Sequence, residues 1–375
     1  MHSSPAKRGL RVYLVGGVVV VLAAGALLVA IFGRGSQAPA EPVLVAPSPA
    51  PETAVDYLAQ GDEQLAAGQW EAALAAYTAA SRLEPELAAP YSRGALALVF
   101  SHRYTEAIQW AEQAVARDPR SSEAHAVLAL AYNWDGETAR ALEAARRAVQ
   151  YDPNNGVAHA YIAEAQADQF KLAEADAALQ RALALAPEDP EVLRVSGYVR
   201  EMHQDYAGAA EAYARAAEVR PGWAHLYVAQ GHALRVLHRY EEALDVFARA
   251  ADLAPADPRP EAGLGMCYFE QEDYESAIIH FQRAIELDPN YPTGYGQLGV
   301  IYYQRRDYAR AQPLFERAIE LERNPVRNAS YRHALGWIYL ANNQPAQARE
   351  QFTKALELNP GLQGAREGLA RLGAR

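Results

Sequence analysis

The side chains able to do covalent or metal chemistry are few and scattered in this chain of 375 residues. Cys267 is the one cysteine, so no disulfide can form within the chain. His225 and His232 stand seven residues apart on one helical stretch. That is two turns, too far to share a metal ion. There is no glycine-rich phosphate loop, no paired-histidine zinc motif and no nucleophile elbow. Carboxylates are numerous, but they fall at spacings that pair them with arginine along a helix face, as in Arg140, Glu143 and Arg147. These observations point to a non-enzyme that needs no cofactor and no metal. What the chain does supply is recognition chemistry. Arginines such as Arg194, Arg235 and Arg259 take carboxylates, and aromatic rings such as Phe269 and Tyr303 bury area at low entropic cost. Whether they act together depends on the elements that carry them.

Those elements are periodic. Pro85, Pro119, Pro153, Pro187, Pro221, Pro255 and Pro289 follow one another at a constant interval of 34 residues. A period of this size marks a stacked repeat. With the proline at position 32, nine repeats begin at Ala54, Ala88, Ser122, Gly156, Pro190, Ala224, Pro258, Pro292 and Ala329. Position 8 is always glycine or alanine, and positions 20 and 27 are alanine in all nine. Position 24 is aromatic in six: Tyr77, Tyr213, Phe247, Phe281, Phe315 and Phe352. Apolar residues recur at helical spacing in two runs per repeat. Small residues let paired helices approach, and the proline ends the second helix. Repeats 2, 3 and 4 carry Ala111, Ala145 and Leu179 at position 24, which predicts looser stacking there. Between repeats 8 and 9 the period stretches by three residues, which predicts a loop insertion over residues 323–328. Asn328-Ala329-Ser330 there is a glycosylation sequon.

This pattern resembles the tetratricopeptide repeat family over residues 54–360. The resemblance implies an all-α, right-handed superhelical solenoid of nine helix-turn-helix repeats, closed by a capping segment at 361–375. It also implies that first-helix positions 2, 5, 9, 12 and 13 line a concave groove. On that basis the peptide-binding residues would be Arg194, Tyr198, His232, Arg235, Arg259, Phe269, Tyr303 and Trp337. The first half of the groove would be more acidic, with Glu123, Glu164 and Asp168 beside Trp134 and Asn133. The family's best-known groove clamps a terminal carboxylate with lysine and asparagine. Position 5 carries no lysine in any repeat, so an adaptor of that type is not expected.

The N-terminus carries a second signal. From Val12 to Phe32 there are 21 residues without a charge, and as a helix they would span about 32 Å, enough for a bilayer core. The organisation expected is a cytoplasmic N-terminus at 1–11, a transmembrane signal-anchor helix at 12–33, a proline- and alanine-rich linker at 34–53, and then the repeats. Lys7, Arg8 and Arg11 precede the span and only Arg34 closely follows it, so the repeats should lie outside the cytoplasm, in a periplasmic or extracellular space. Net charge is −11, and the first 35 residues hold four positive charges and no acid, so the remainder carries −15. Such a face argues against nucleic acid as a partner. The expected function is a non-catalytic, membrane-tethered scaffold that binds a protein or peptide segment with acidic and apolar residues. A self-associating assembly factor for an envelope or secretion complex, and a recognition subunit of an enzyme complex, are alternatives.

Overall fold

The computed structural model describes residues 11–15, 18–23, 26–31 and 53–373. Two compact units result, 1–51 and 52–375.

In the first unit the chain forms three antiparallel strands, Arg11–Val15, Val18–Ala23 and Ala26–Ile31, in sequence order. Val15 pairs with Val18, and Ala23 with Ala26. This differs from the single anchor helix expected over 12–33. The apolar run is interrupted by Gly16-Gly17 and Gly25, and the pieces between are rich in valine. β-branched side chains favour extended backbone, and glycine weakens a helix interior. Among the described residues no helix is long and apolar enough to cross a membrane. Most of the 34–53 linker lies outside the described residues.

The second unit is helical. Each repeat is a pair of antiparallel helices, here A and B. Helix A of repeat 1 is Ala54–Ala66 and helix B is Trp70–Leu83; in repeat 7 they are Pro258–Glu270 and Tyr274–Leu287. A final helix, Gln363–Gly373, buries Ala365 and Leu372 against repeat 9.

Local signals set these boundaries. Ser121, Asn155, Asp189 and Asp257 cap A helices with their side-chain oxygens. Asp205, Asp273 and Asp307 do the same for B helices. The residue before each position-32 proline is pushed out of the helical region, as at Glu84 (φ −129°, ψ 80°), which ends helix B. Between A and B, position 15 takes a left-handed conformation in every repeat. Gly68 and Gly136 adopt it freely, whereas His102, Phe170, Gln204, His238, Glu272, Arg306 and Asn343 adopt it against a steric cost.

Packing within a repeat follows one of two recipes. Where position 8 is glycine, the ring at position 24 fills its space. A Cβ added at Gly265 would lie 2.7 Å from the Phe281 ring, and one at Gly61 would lie 2.4 Å from Tyr77. Where position 24 is small, position 8 carries the methyl group instead. Ala95, Ala129 and Ala163 sit opposite Ala111, Ala145 and Leu179, and all six are buried. These positions in repeats 2 to 4 are thus as buried as those of the glycine–aromatic repeats.

The extra residues before repeat 9 do not form a loop. They lengthen helix A of that repeat to Pro325–Ala341, 17 residues against 13 in most others, with Asn324 as its cap. The Asn328 amide donates to Ile319 O (2.9 Å) and Glu322 O (3.0 Å), so the sequon asparagine is engaged in the fold.

The superhelix closes on itself. Trp223, at the entrance to repeat 6, donates its indole N–H to the carbonyl of Leu65 in repeat 1 at 2.8 Å. Beside it Gly68 and Gly222 touch backbone to backbone: a Cβ on Gly68 would lie 1.9 Å from Gly222 O. Repeats 1 to 6 thus form one closed turn, and repeats 7 to 9 continue beyond it.

Candidate peptide-binding groove

Helix A of repeats 1 to 5 forms the inner wall of the closed turn. Within it lies a cavity of about 510 Å³ whose lining includes Leu65, Leu96, Val127, Val157, Tyr161 and Trp223. A second cavity of about 320 Å³, between Trp134, Arg194, Tyr198, Glu201, His232 and Arg259, follows the same wall into repeats 5 to 7.

The three arginines expected to meet a partner are engaged within the chain. Arg194 is buried at 6% exposure. Its two terminal nitrogens donate to Glu164 at 2.9 and 2.7 Å, and its Nε donates to Glu191. Trp134 and Tyr161 donate to the same carboxylates at 3.3 and 3.1 Å. Burial pushes the Glu191 carboxyl up, although Arg194 opposes the shift. Arg235 pairs with Glu270. Arg259 donates to Asp257 through Nε (3.0 Å) and Nη2 (2.6 Å). Tyr198 donates to Asp168, which also accepts from Asn133 at 2.8 Å. Glu201, on the same helix, instead faces Tyr213, and burial lifts its carboxyl to about 7.

The His232 side chain is exposed at the surface, edge-on to Phe247 at 5.2 Å, with protein crowded around it. That enclosure, with Arg235 and Arg259 nearby, lowers its pKa to about 4. Phe269 and Tyr303 are half-buried on helix A of repeats 7 and 8, against Tyr274 (5.7 Å) and Tyr308 (5.8 Å). Trp337, half-buried on helix A of repeat 9, donates to His333 at 2.9 Å and lies edge-on to Phe352. Phe269 and Tyr303 share position 12 and pack on the position-17 tyrosine of their own repeat, whereas Trp337 stands at position 9 and packs on Phe352.

One group was not legible beforehand. Trp70, Phe100, Trp134, Trp223 and His225 come from repeats 1, 2, 3, 5 and 6, yet they pack as one cluster. The Phe100 and His225 rings stack at 4.7 Å, Phe100 and Trp223 lie 4.9 Å apart, and Trp134 meets His225 edge-on at 6.1 Å. Phe100 and Trp134 share position 13, but Trp70, Trp223 and His225 stand at three other positions, so no periodic signal joins the whole group; ring closure does. Cys267 is buried, which pushes its thiol up to about 12. Among the described residues no group of His, Cys, Asp or Glu is placed to hold a metal ion.

Family profiles described as tetratricopeptide repeat or TPR repeat match residues 58–111, 158–223, 265–305 and 291–360. The chain belongs to the tetratricopeptide repeat family. A profile for subunit 3 of the anaphase-promoting complex, itself matched over 101–182, covers part of the gap. Among solved structures, the Cut9–Hcn1 hetero-tetramer of that complex is similar with a TM-score of 0.65 at 19% identity, over 79% of this chain and 58% of that one. The human IFIT1 dimer with PPP-AAAA follows at 0.62 and 18%, over 85% and 82% of the two chains. Yeast Tom70 gives 0.54 and 14%, over 86% and 88%. At these identities the likeness is one of fold. No curated protein matches the sequence. As a tetratricopeptide solenoid, the protein is of the protein-interaction scaffold type.

Proposed function

We propose that this solenoid is a non-catalytic scaffold that holds an extended segment of another protein against the inner wall of repeats 7 to 9. The observation that carries this reading is the row of half-buried rings Phe269, Tyr303 and Trp337, one per repeat. Arg194, Arg235 and Arg259 are already paired, so selectivity there rests on apolar and aromatic contact more than on acidic residues. The test is affinity capture from detergent-solubilised membranes, with Tyr303→Ala and Trp337→Ala as variants. Loss of a ring at an interface centre costs about 2 kcal/mol, roughly thirtyfold in affinity. Capture that survives both substitutions places the ligand elsewhere.

We also propose that the apolar segment 12–32 tethers the repeats to a membrane, with the repeats outside the cytoplasm. Its lack of charge and the basic residues before it support this. An open three-stranded sheet leaves edge backbone groups unpaired in lipid, so the tether requires this segment to become helical there. Retention of the protein in the membrane pellet at alkaline pH is expected, together with cleavage of the linker by protease added outside the cell. Full release at alkaline pH overturns the tether.

A further inference from the structure

Repeats 1 and 2 meet repeats 6 and 7 along one narrow seam. Elsewhere each helix packs along its sequence neighbours or the next but one. Across the seam, turns and helix ends do the joining: Gly68 against Gly222, Trp223 bonded to Leu65, and Phe100 stacked on His225. The fit is incomplete. A cavity of about 540 Å³ separates residues 68–72 and 100–102 from residues 253–259. His225 Nε2 is enclosed with no hydrogen-bond partner among the described residues. An enclosed, unpaired polar atom penalises the closed state, because opening would let water reach it.

Closure also has a topological consequence. The 510 Å³ cavity lies on the axis of the turn. A chain end can thread a closed ring, but a segment between two folded domains cannot. We propose that the seam is a gate: the first turn opens between repeats 1–2 and repeats 6–7 and admits a chain segment sideways to the axial cavity. The gate is separate from the aromatic wall of repeats 7 to 9, so either can fail alone.

Gln69 and Ala256 are both exposed and line opposite sides of the seam cavity. Spin labels on Gln69→Cys and Ala256→Cys, in full-length Cys267→Ala protein, report the distance across it. A dominant short distance is expected, with a second population longer by roughly one helix diameter, about 10 Å. Trp223→Phe removes the indole N–H but keeps a ring, and should raise the longer population about threefold. Gly222→Val, whose Cβ would meet the Ala67 backbone, should raise it further. A second readout uses Ala126→Cys, a wall position of the axial cavity, and a polyethylene-glycol maleimide as probe. Its labelling should be about fivefold faster with Trp223→Phe than with the native seam. The gate is overturned by a single short distance in all three proteins. It is overturned equally by a long distance that appears only as the far-ultraviolet helix signal is lost, or by a labelling rate that ignores the seam.

Discussion

Arg194 shows how far a side chain's role depends on its surroundings. In an acidic protein a groove arginine invites a reading as a ligand contact. Here it is the hub of a buried network with Glu164, Glu191, Trp134 and Tyr161. Removing one partner of a buried pair leaves uncompensated charge, which costs about 3–5 kcal/mol. Arg194→Ala is therefore expected to lower the urea midpoint by that equivalent, whereas Arg140→Ala, an exposed pair, should cost less than about 1 kcal/mol. Equal effects of the two would remove Arg194 from its structural role. The histidines give a pH prediction. His225 is held well below its ordinary pKa by burial and by Arg194, Arg259 and His102, and His232 is lowered to about 4. A lowered histidine binds its proton more readily when unfolded, so stability is present above pH 6.5 and is lost as pH falls towards 4. Glu201, raised to about 7, acts with the opposite sign, since its protonation favours the folded form as pH falls. The two trends overlap, so the wild-type curve alone does not separate them. His225→Phe should do so: its melting temperature at pH 5, relative to that at pH 7, should be higher than in the wild type, because the histidine's acid-side loss is gone and Glu201 still acts. The substitution should also be neutral or stabilising at pH 7, because it removes an unpaired buried nitrogen.

Between helices A and B, the interlock of positions 8 and 24 makes a sharper prediction than either residue alone. Gly265→Ala drives a methyl group into Phe281 and should cost about 1–3 kcal/mol. Phe281→Ala empties a fully buried site and should cost about 3–5 kcal/mol. Together they recreate the alanine pair of repeats 2 and 3, so the double variant should be more stable than the sum by about 0.5–3 kcal/mol. A strictly additive cycle, measured by urea unfolding, would show that the two recipes are unrelated. The lengthened helix of repeat 9 makes a related point. The expected insertion loop became one more helical turn because Asn324 and Pro325 supply a start signal ahead of the extra residues. Residue count alone could not distinguish these outcomes.

Across the whole molecule, ring closure changes how stability is shared. A linear stack passes a disturbance from neighbour to neighbour, and the effect fades with distance. Here repeat 1 rests on the turn before repeat 6. Tyr77→Ala, which empties the core of repeat 1, should raise hydrogen exchange at residues 221–226 as well as in repeats 1 and 2. Repeat 4, nearer in sequence but away from the seam, should change least. Exchange that simply decays from repeat 1 onward would contradict closure.

The sequence by itself determined the architecture of the repeats. Fixed prolines, invariant small residues and helical periodicity are local constraints, and each acts within one repeat or between two. They led to the family and to helix pairs at regular intervals. They also placed the rings of Phe269, Tyr303 and Trp337 on first helices. Only the tertiary structure decided which groove residues are spent on one another, because Glu164 and Arg194 lie 30 residues apart and meet through stacking. Only it brought Leu65 to Trp223, since the curvature that closes the turn is the sum of small rotations over five repeats and no single residue encodes it. The valine-rich start of the chain marks the opposite limit. Its composition suits a spanning helix and a set of strands alike, and hydrophobicity says what avoids water without saying in which conformation.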